Sequence, residues 1–267
     1  MRNKGERIQE HSLHEKEVWG EVFKKELEIN NPKKFSSYWW EYYYEQISQA
    51  ITDILSTRQN PTILEAGSGS GKATLLSFPH NQITLLDITP EGLTLAKQLA
   101  KSYGATQVTY IEGNMFFMPF QDGAFDLVWN IGVVEHYEKD LVIELLREML
   151  RVTNKNGYIA IAVPNFKSLP VKKAMLLARS KFKRWLRFMN GYRLDTEKHY
   201  SAQDMKKILE EVAREERIEL EEMKILYLGS SLVIGAPRFL VKFFSKLEHL
   251  FSERKFLVLT LAKKIIR

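Results

Sequence analysis

The sequence predicts an α/β fold in which helices cover both faces of a largely parallel sheet. From about Pro61, short apolar runs alternate with segments of helical periodicity, which is typical of successive βαβ units. The first apolar run ends in a cluster of three glycines, Gly67, Gly69 and Gly71, a pattern found where a strand turns into a helix beside a ligand. The chain has 267 residues, of which 45% are hydrophobic, so it can bury one substantial core.

Charge and cysteine content limit the function classes. The net charge of +6 weakly favours anionic surroundings such as nucleic acid, membrane headgroups or acidic substrates. The chain has no cysteine, which excludes disulfides and thiolate chemistry. Residues 1–17 are polar and lack the apolar stretch of a secretory signal, and no apolar run approaches the roughly 20 residues that span a bilayer. We therefore expect a soluble cytoplasmic protein and leave contact with a membrane surface open.

Two helices are expected before the sheet. One apolar stripe at helical spacing starts at Val18, and Asn31-Pro32 separates it from a second stripe that runs through Ile47 to Leu55. The second helix begins with six aromatic residues: Tyr38, Trp39, Trp40, Tyr42, Tyr43 and Tyr44. These rings either form the wall of a ligand pocket or pack the helix onto the domain.

Seven apolar runs are interpreted as strands. They cover residues 62–64, 83–86, 108–111, 125–129, 158–163, 224–228 and 256–261. Helical patterns occupy residues 91–103 and 140–152. Ser201 is expected to cap another helix with Asp204 three residues later, and Pro237 is expected at the first position of the last helix.

An insertion over residues 164–200 interrupts this order. It carries nine lysines and arginines before its first acidic residue, Asp195, and apolar residues such as Trp185 are interleaved with them. This pattern indicates a basic amphipathic helix. The basic face is interpreted as a solvated surface, a docking site for an anionic membrane or a nucleic-acid-binding face.

The glycine loop favours one of three ligands. A P-loop would require a hydroxyl residue where Ala73 stands, and a dinucleotide-binding loop would require a glycine where Lys72 stands. Glu65 at the end of the first strand would repel a pyrophosphate. The cationic sulfonium and ammonium groups of S-adenosylmethionine (SAM) suit that carboxylate instead. Asp87, about 20 residues later at the end of the second strand, is placed to accept the ribose hydroxyls, unless it serves only as a helix cap.

These residues resemble the class I SAM-dependent methyltransferases, in particular the bacterial group called methyltransferase type 11. Residues 63–71 resemble its first motif, residues 112–120 its Gly-Asp to Leu-Pro-Phe stretch, and residues 125–128 and 133–136 its fourth strand and following loop. The likeness is close over residues 61–164 and loose from residue 200 onward. It implies a Rossmann-like seven-stranded sheet with a final antiparallel strand, plus a helical cap. We expect a helical lid (1–58), a SAM-binding core (59–164), a basic cap (165–200) and the rest of the core (201–267).

The resemblance also implies the cofactor contacts. Gly67 and Gly69 would line the methionine and ribose, Glu65 would face the methionyl amine, and Asp87 the ribose. Asn114 stands where the family usually has an aspartate near the adenine amino group, and an amide oxygen can still accept a hydrogen bond there. The other expected contacts are Ser68, Ile88, Met115 and Asn130, together with Tyr38, Trp39 and Tyr43 of the lid.

Catalysis by methyl transfer needs a base only when the acceptor is protonated. His136, in the loop after the fourth strand, is the first candidate, and its alternative role is to hold that loop. His199 and Tyr200 form a second candidate pair. We expect no metal site, although Glu135-His136 loosely fits the metal-binding loop of related quinone-precursor methyltransferases.

The acceptor is not identified by the sequence. We expect a small molecule, lipophilic or anionic, methylated on oxygen or nitrogen. The alternatives are an RNA methyltransferase that uses the basic cap and a SAM-binding protein without catalysis. The chain has no Asn-Pro-Pro-Tyr type motif after the fourth strand, which argues against base-amine methylation of nucleic acid.

Overall fold

The computed structural model describes residues 4–29, 37–179 and 197–265. Within these ranges the chain forms eight α-helices and seven β-strands. The helices are α1 (Lys4–Ile29), α2 (Tyr38–Leu55), α3 (Lys72–Ser77), α4 (Pro90–Tyr103), α5 (Lys139–Val152), α6 (Leu169–Arg179), α7 (Ala202–Glu215) and α8 (Arg238–Ser245). The strands are β1 (Thr62–Ala66), β2 (Gln82–Asp87), β3 (Val108–Glu112), β4 (Phe125–Ile131), β5 (Thr153–Pro164), β6 (Glu219–Leu228) and β7 (Leu257–Ile265).

The seven strands form one sheet in the order β3-β2-β1-β4-β5-β7-β6. β1 pairs in parallel with β2 on one side and with β4 on the other, and β7 lies antiparallel between β5 and β6. The predicted fold class is therefore confirmed. After β1 the chain adds β2 and β3 on one side of β1, and it then crosses to the other side to form β4. This reversal opens a crevice beyond the carboxyl ends of β1 and β4.

Hydrophobic layers cover both faces of the sheet. Ile63 and Leu127 point into the layer under α2, α3 and α4, whereas Leu64 and Val128 point into the layer under α5 and α7. Successive residues of a strand face opposite sides, so burial of both faces requires the nearly continuous apolar runs seen in the sequence.

Three strands extend four or more residues beyond the ends of the predicted runs. β5 begins at Thr153, β6 begins at Glu219, and β7 continues to Ile265. β6 is an edge strand with a register shift around Glu222, whose φ is 48°. Edge strands and bulges carry polar residues that face solvent, so the first half of β6 has no apolar run to reveal it.

The predicted helix starts are largely confirmed. Ser201 Oγ accepts a hydrogen bond from Asp204 N at 3.2 Å, and the Asp204 carboxylate accepts one from Ser201 N at 2.9 Å, which together form a capping box for α7. α8 begins one residue later than predicted. Pro237 stands at its N-cap position because its ψ of 144° is extended.

The insertion after β5 is only partly covered by the described residues. It starts with α6, and residues 197–200 return to the loop after β4. The basic residues Lys181, Lys183, Arg184, Arg187 and Arg193 of the predicted cap lie outside the described residues. Among the described helices, none has the length and apolar character needed to cross a membrane.

Candidate functional site

A pocket of about 200 Å³ opens at the carboxyl ends of β1, β2 and β4, in the crevice that the strand order creates. Four walls come from segments that follow strands: residues 67–70 after β1, 87–89 at the end of β2, 113–115 after β3, and 131–133 with 136–137 after β4. The helix α1 supplies the remaining wall. The fold therefore gathers into one space residues that lie far apart in sequence.

Asp87 is held firmly at the end of β2. One carboxylate oxygen accepts a hydrogen bond from Gly69 N at 2.6 Å, and the other accepts from Thr89 N at 2.8 Å and from Thr89 Oγ1 at 2.5 Å. Burial raises the pKa of Asp87 above its ordinary value, against the lowering effect of these hydrogen bonds. The Asp87 carboxylate also lines the pocket, where it lies within reach of a bound ligand.

The glycine loop passes directly under α1. Gly69 has a φ of 50°, and a Cβ added there would lie 2.6 Å from Cζ of Phe23. A Cβ at Gly67 would lie 3.1 Å from a methyl group of Val133. Any side chain at these positions would fill space between the loop and its neighbours, so glycine is required by both backbone conformation and packing.

α1 faces the pocket with one stripe of side chains. Ser12, Glu15, Trp19 and Phe23 follow one another at intervals of three or four residues, and all four line the pocket. Trp19 Nε1 donates a hydrogen bond to a Glu15 carboxylate oxygen at 2.7 Å, and Glu15 is buried. The helix therefore contributes an aromatic surface and a carboxylate to the site.

Contacts at several points fix α1 across the ends of the strands. The Arg7 guanidinium lies 2.9 Å from the Asp140 carboxylate at the start of α5, and Lys16 Nζ lies 2.7 Å from Glu112 at the end of β3. The ring of His11 stacks on Tyr137, with centroids 4.6 Å apart. These contacts span the loops after β3 and β4, so α1 bridges the two sides of the crevice.

The charge of the pocket selects among ligands. Its described lining includes two carboxylate residues, Glu15 and Asp87, and no lysine or arginine. A phosphate-binding site would be expected to present cationic groups or a helix N-terminus free of nearby carboxylates. This lining therefore suits a cationic ligand with hydroxyl groups better than a nucleotide.

Comparisons with known proteins agree with this geometry. Residues 64–161 match a family model described as a methyltransferase domain. An ajmaline N-methyltransferase from Rauvolfia serpentina is 33% identical over 102 residues, which cover 37% of this chain and 34% of the relative. A demethylmenaquinone methyltransferase from Thermus thermophilus is 28% identical over 145 residues, which cover 52% of this chain and 62% of the relative.

The same fold occurs in solved structures. A SAM-dependent methyltransferase from Aquifex aeolicus aligns with a TM-score of 0.54 at 15% identity, covering 91% of this chain and 98% of that one. Residues 64–161 therefore match the methyltransferase domain family, and the chain has the fold of a SAM-dependent methyltransferase. It spans less than two thirds of the length of the two curated relatives named above.

Most of the predicted cofactor residues of the methyltransferase domain lie in this one pocket. They are Gly67, Ser68, Gly69, Asp87, Ile88, Asn114 and Met115. Asn114 is oriented by hydrogen bonds at 3.0 Å: its oxygen accepts from Phe116 N, and its nitrogen donates to Ser12 Oγ of α1. Among the described residues the buried Ser68 Oγ has no hydrogen-bond partner, which leaves a polar group beside the pocket for a ligand to satisfy.

Glu65 and Asn130 are two of the five predicted cofactor residues that do not line the pocket. Glu65 is buried beneath it, where one carboxylate oxygen accepts a hydrogen bond from Thr74 Oγ1 at 2.5 Å, and that hydroxyl accepts one from Trp129 Nε1 at 2.8 Å. Burial raises the pKa of Glu65 to about 8. Asn130 is also buried and donates from its amide nitrogen to Ala66 O at 2.6 Å. Both side chains therefore hold the residues on either side of the glycine loop in place.

The aromatic residues of α2 pack onto the domain, and Trp39 and Tyr43 are buried in its core. Trp39 and Tyr43 stack on each other at 5.7 Å and pack edge-on against Phe256, and Trp39 Nε1 donates to Leu232 O at 2.8 Å. Tyr38 lies beside α8, under the guanidinium of Arg238. None of the three lines the pocket, and the structure shows them packing α2 onto the domain.

His136 is the predicted catalytic residue that the structure brings to the pocket. It lies in a 3₁₀ turn, Val134–His136, is largely buried and lines the wall after β4. The ring of Trp19 meets it edge-on, with centroids 5.4 Å apart. The adjacent Glu135 is buried, and burial together with the charge of Glu197 raises its pKa to about 8.

The second candidate pair lies outside the pocket lining. His199 is exposed and stacks on Phe166, with centroids 3.9 Å apart. Tyr200 donates from its hydroxyl to Tyr137 O at 2.9 Å, and Lys198 N donates to Glu135 O at 2.6 Å. These bonds anchor the end of the insertion to the loop that carries His136, so residues 198–200 hold that loop in place. Among the described residues, no three His, Cys, Asp or Glu side chains form a metal-binding group.

Sequence reasoning missed the α1 side of the site. Ser12, Glu15 and Trp19 gave no separate signal, although Phe23 belongs to the apolar stripe noticed in the sequence. Their regular spacing could have revealed one face of a helix, but not that this face lies over a ligand pocket.

Proposed function

We propose that the chain transfers the methyl group of SAM to an oxygen or nitrogen of a small-molecule acceptor. The observation that carries the proposal is a single pocket at the crevice of the sheet that combines the glycine turn, the anchored Asp87 and the acidic, aromatic face of α1. The names of the two relatives, which specify ajmaline and demethylmenaquinone, support a small-molecule acceptor.

The described residues fit SAM by chemistry as well as by position. Asp87 would accept the ribose hydroxyls, and Gly67 and Gly69 leave room for the nucleoside and the methionine chain. Glu15 supplies negative potential and Trp19 an aromatic ring at the pocket wall, both of which would favour a sulfonium. SAM, when bound, supplies an electrophilic methyl group on that cationic sulfur.

The remaining task of the protein is to align the acceptor and exclude water. Well-aligned reactants gain up to about 7–11 kcal/mol in model systems, so much of the acceleration needs no catalytic group. α1 covers the pocket and limits solvent access. His136, on the pocket wall after β4, would take the proton from an acceptor hydroxyl or ammonium group.

The test is to follow labelled methyl groups. We would incubate the protein with methyl-labelled SAM and with the small-molecule, lipid and RNA fractions of a cell extract. We expect label in the small-molecule or lipid fraction, and none with the Asp87→Ala variant. Label confined to RNA would transfer the assignment to an RNA methyltransferase, and SAM binding without transfer to any fraction would indicate a non-catalytic SAM-binding protein.

A further inference from the structure

α8 presents aromatic side chains that the fold leaves uncovered. Phe239 and Phe243 lie one turn apart and are 70% and 59% exposed, whereas Val241 is completely buried on the side that packs against the domain. Two further apolar side chains, Leu250 and Phe251, are exposed in the segment that follows the helix. Adjacent exposed aromatic and aliphatic side chains usually mark an interaction surface.

A row of cations runs beside these rings. Arg238, Lys242 and Lys246 are spaced four residues apart, so they share one face of the helix next to the phenylalanine row, and all three are exposed. Arg238 and Lys242 lie 5.0 and 5.7 Å from the centroid of the Tyr38 ring, which holds the row at the start of α2. The face is therefore apolar along one line and positive along the next.

The chain segment that carries this face contains no acidic residue to neutralise the three cations. Residues 229–247 contain no aspartate or glutamate. The next acidic residue, Glu248, is buried, lies 3.0 Å from Lys255 Nζ and accepts a hydrogen bond from Tyr42. Three cations thus stand beside two exposed rings, a combination that complements a surface bearing negative charge over an apolar interior.

We propose that this α8 face, formed by Phe239, Phe243, Arg238, Lys242 and Lys246, docks the protein on an anionic lipid bilayer. The rings would enter the boundary between headgroups and acyl chains, while the cations would lie among the lipid phosphates. A second copy of the chain is a poorer occupant, because a symmetric contact would bring the same cationic row against itself. The proposal concerns where the protein works and does not depend on which acceptor it methylates.

Vesicle flotation with the full chain tests the proposal. We expect binding to vesicles of equal parts phosphatidylcholine and phosphatidylglycerol, weak binding to phosphatidylcholine alone, and loss of binding as salt is raised. Replacing Phe239 and Phe243 together by serine should weaken binding by at least about tenfold. Each of Lys242→Gln and Lys246→Gln should weaken it by about fivefold.

The matched control is Phe117→Ser. Phe117 is 60% exposed, like the rings of α8, but it follows β3 at the opposite edge of the sheet from β6. We expect this variant to bind vesicles like the wild type, and we expect all variants to retain the wild-type circular dichroism spectrum. Unchanged binding of the Phe239→Ser/Phe243→Ser variant would overturn the proposal. It would also be overturned by a dimer in sedimentation velocity that this double variant dissociates, since the face would then belong to a second copy.

Discussion

The contact between α1 and the glycine loop makes Gly69→Ala an informative substitution. Gly69 has a φ of 50°, and the new Cβ would lie 2.6 Å from Cζ of Phe23. Two separate costs therefore act on the folded state. The backbone must hold alanine in the left-handed region, and the ring of Phe23 must move away from the new Cβ.

The two costs have different magnitudes and only one depends on α1. Left-handed backbone costs about 1–2 kcal/mol for a residue with a Cβ. Overpacking a filled contact typically costs about 1–3 kcal/mol. Gly69→Ala should therefore lower the free energy of unfolding by about 2–5 kcal/mol in the wild-type background, and by only about 1–2 kcal/mol when Phe23 is already alanine.

A double-mutant cycle in urea unfolding measures this difference. We expect a coupling energy of about 1–3 kcal/mol between positions 69 and 23. Gly104→Ala is the matched control, because Gly104 has a φ of 70° and a Cβ there would meet nothing within 4 Å. It should show the backbone cost alone, in both backgrounds. Equal costs of Gly69→Ala in the two backgrounds would refute the placement of α1 over the loop.

Three further predictions follow from the site and its support. Burial raises the pKa of Glu65 from 4.5 to about 8. Between these two pH values the unfolded chain has lost the Glu65 proton while the folded chain keeps it. The free energy of unfolding should therefore fall as pH rises from 4.5 to about 8. Glu65→Gln should remove this loss, and a wild-type-like pH dependence of its urea midpoint would contradict the assigned burial. His136→Gln should slow methyl transfer by roughly 10²–10⁴-fold while calorimetry shows SAM affinity within about twofold of wild type; an equal loss of both would indicate a structural histidine. Ser201→Ala should lower the free energy of unfolding by about 0.5–2 kcal/mol through loss of the α7 cap, and no change in the urea midpoint would contradict the capping box.

The parts of the fold that local patterns encode were predictable. Apolar runs located all seven strands, and the glycine loop and Asp87 marked the ends of β1 and β2 because parallel strands bring their carboxyl ends to one edge. The capping residues Ser201 and Asp204 were visible in the sequence because their interaction spans only three residues. Each of these signals comes from residues that act on their immediate neighbours.

Features that depend on tertiary packing were not predictable in the same way. The aromatic cluster of α2 attracted attention as a ligand wall, yet Trp39 and Tyr43 are core residues, because burying large rings stabilises the fold whether or not a ligand is near. Glu65 occupies the expected strand end, but its side chain turns toward Thr74. α1 reaches the pocket through contacts with loops about 100 residues away, such as Lys16 with Glu112, which no local pattern reports.

The most direct test of the account is a calorimetric titration of SAM into the full chain, alongside Asp87→Ala. Asp87 lines the pocket and fixes Gly69 and Thr89, so its removal takes away a ribose acceptor and loosens the glycine loop together. The account predicts one bound SAM for each wild-type chain and no measurable binding to a folded Asp87→Ala variant. Absence of SAM binding by the wild type would contradict the central claim, and equal affinity of the variant would show that the cofactor binds elsewhere.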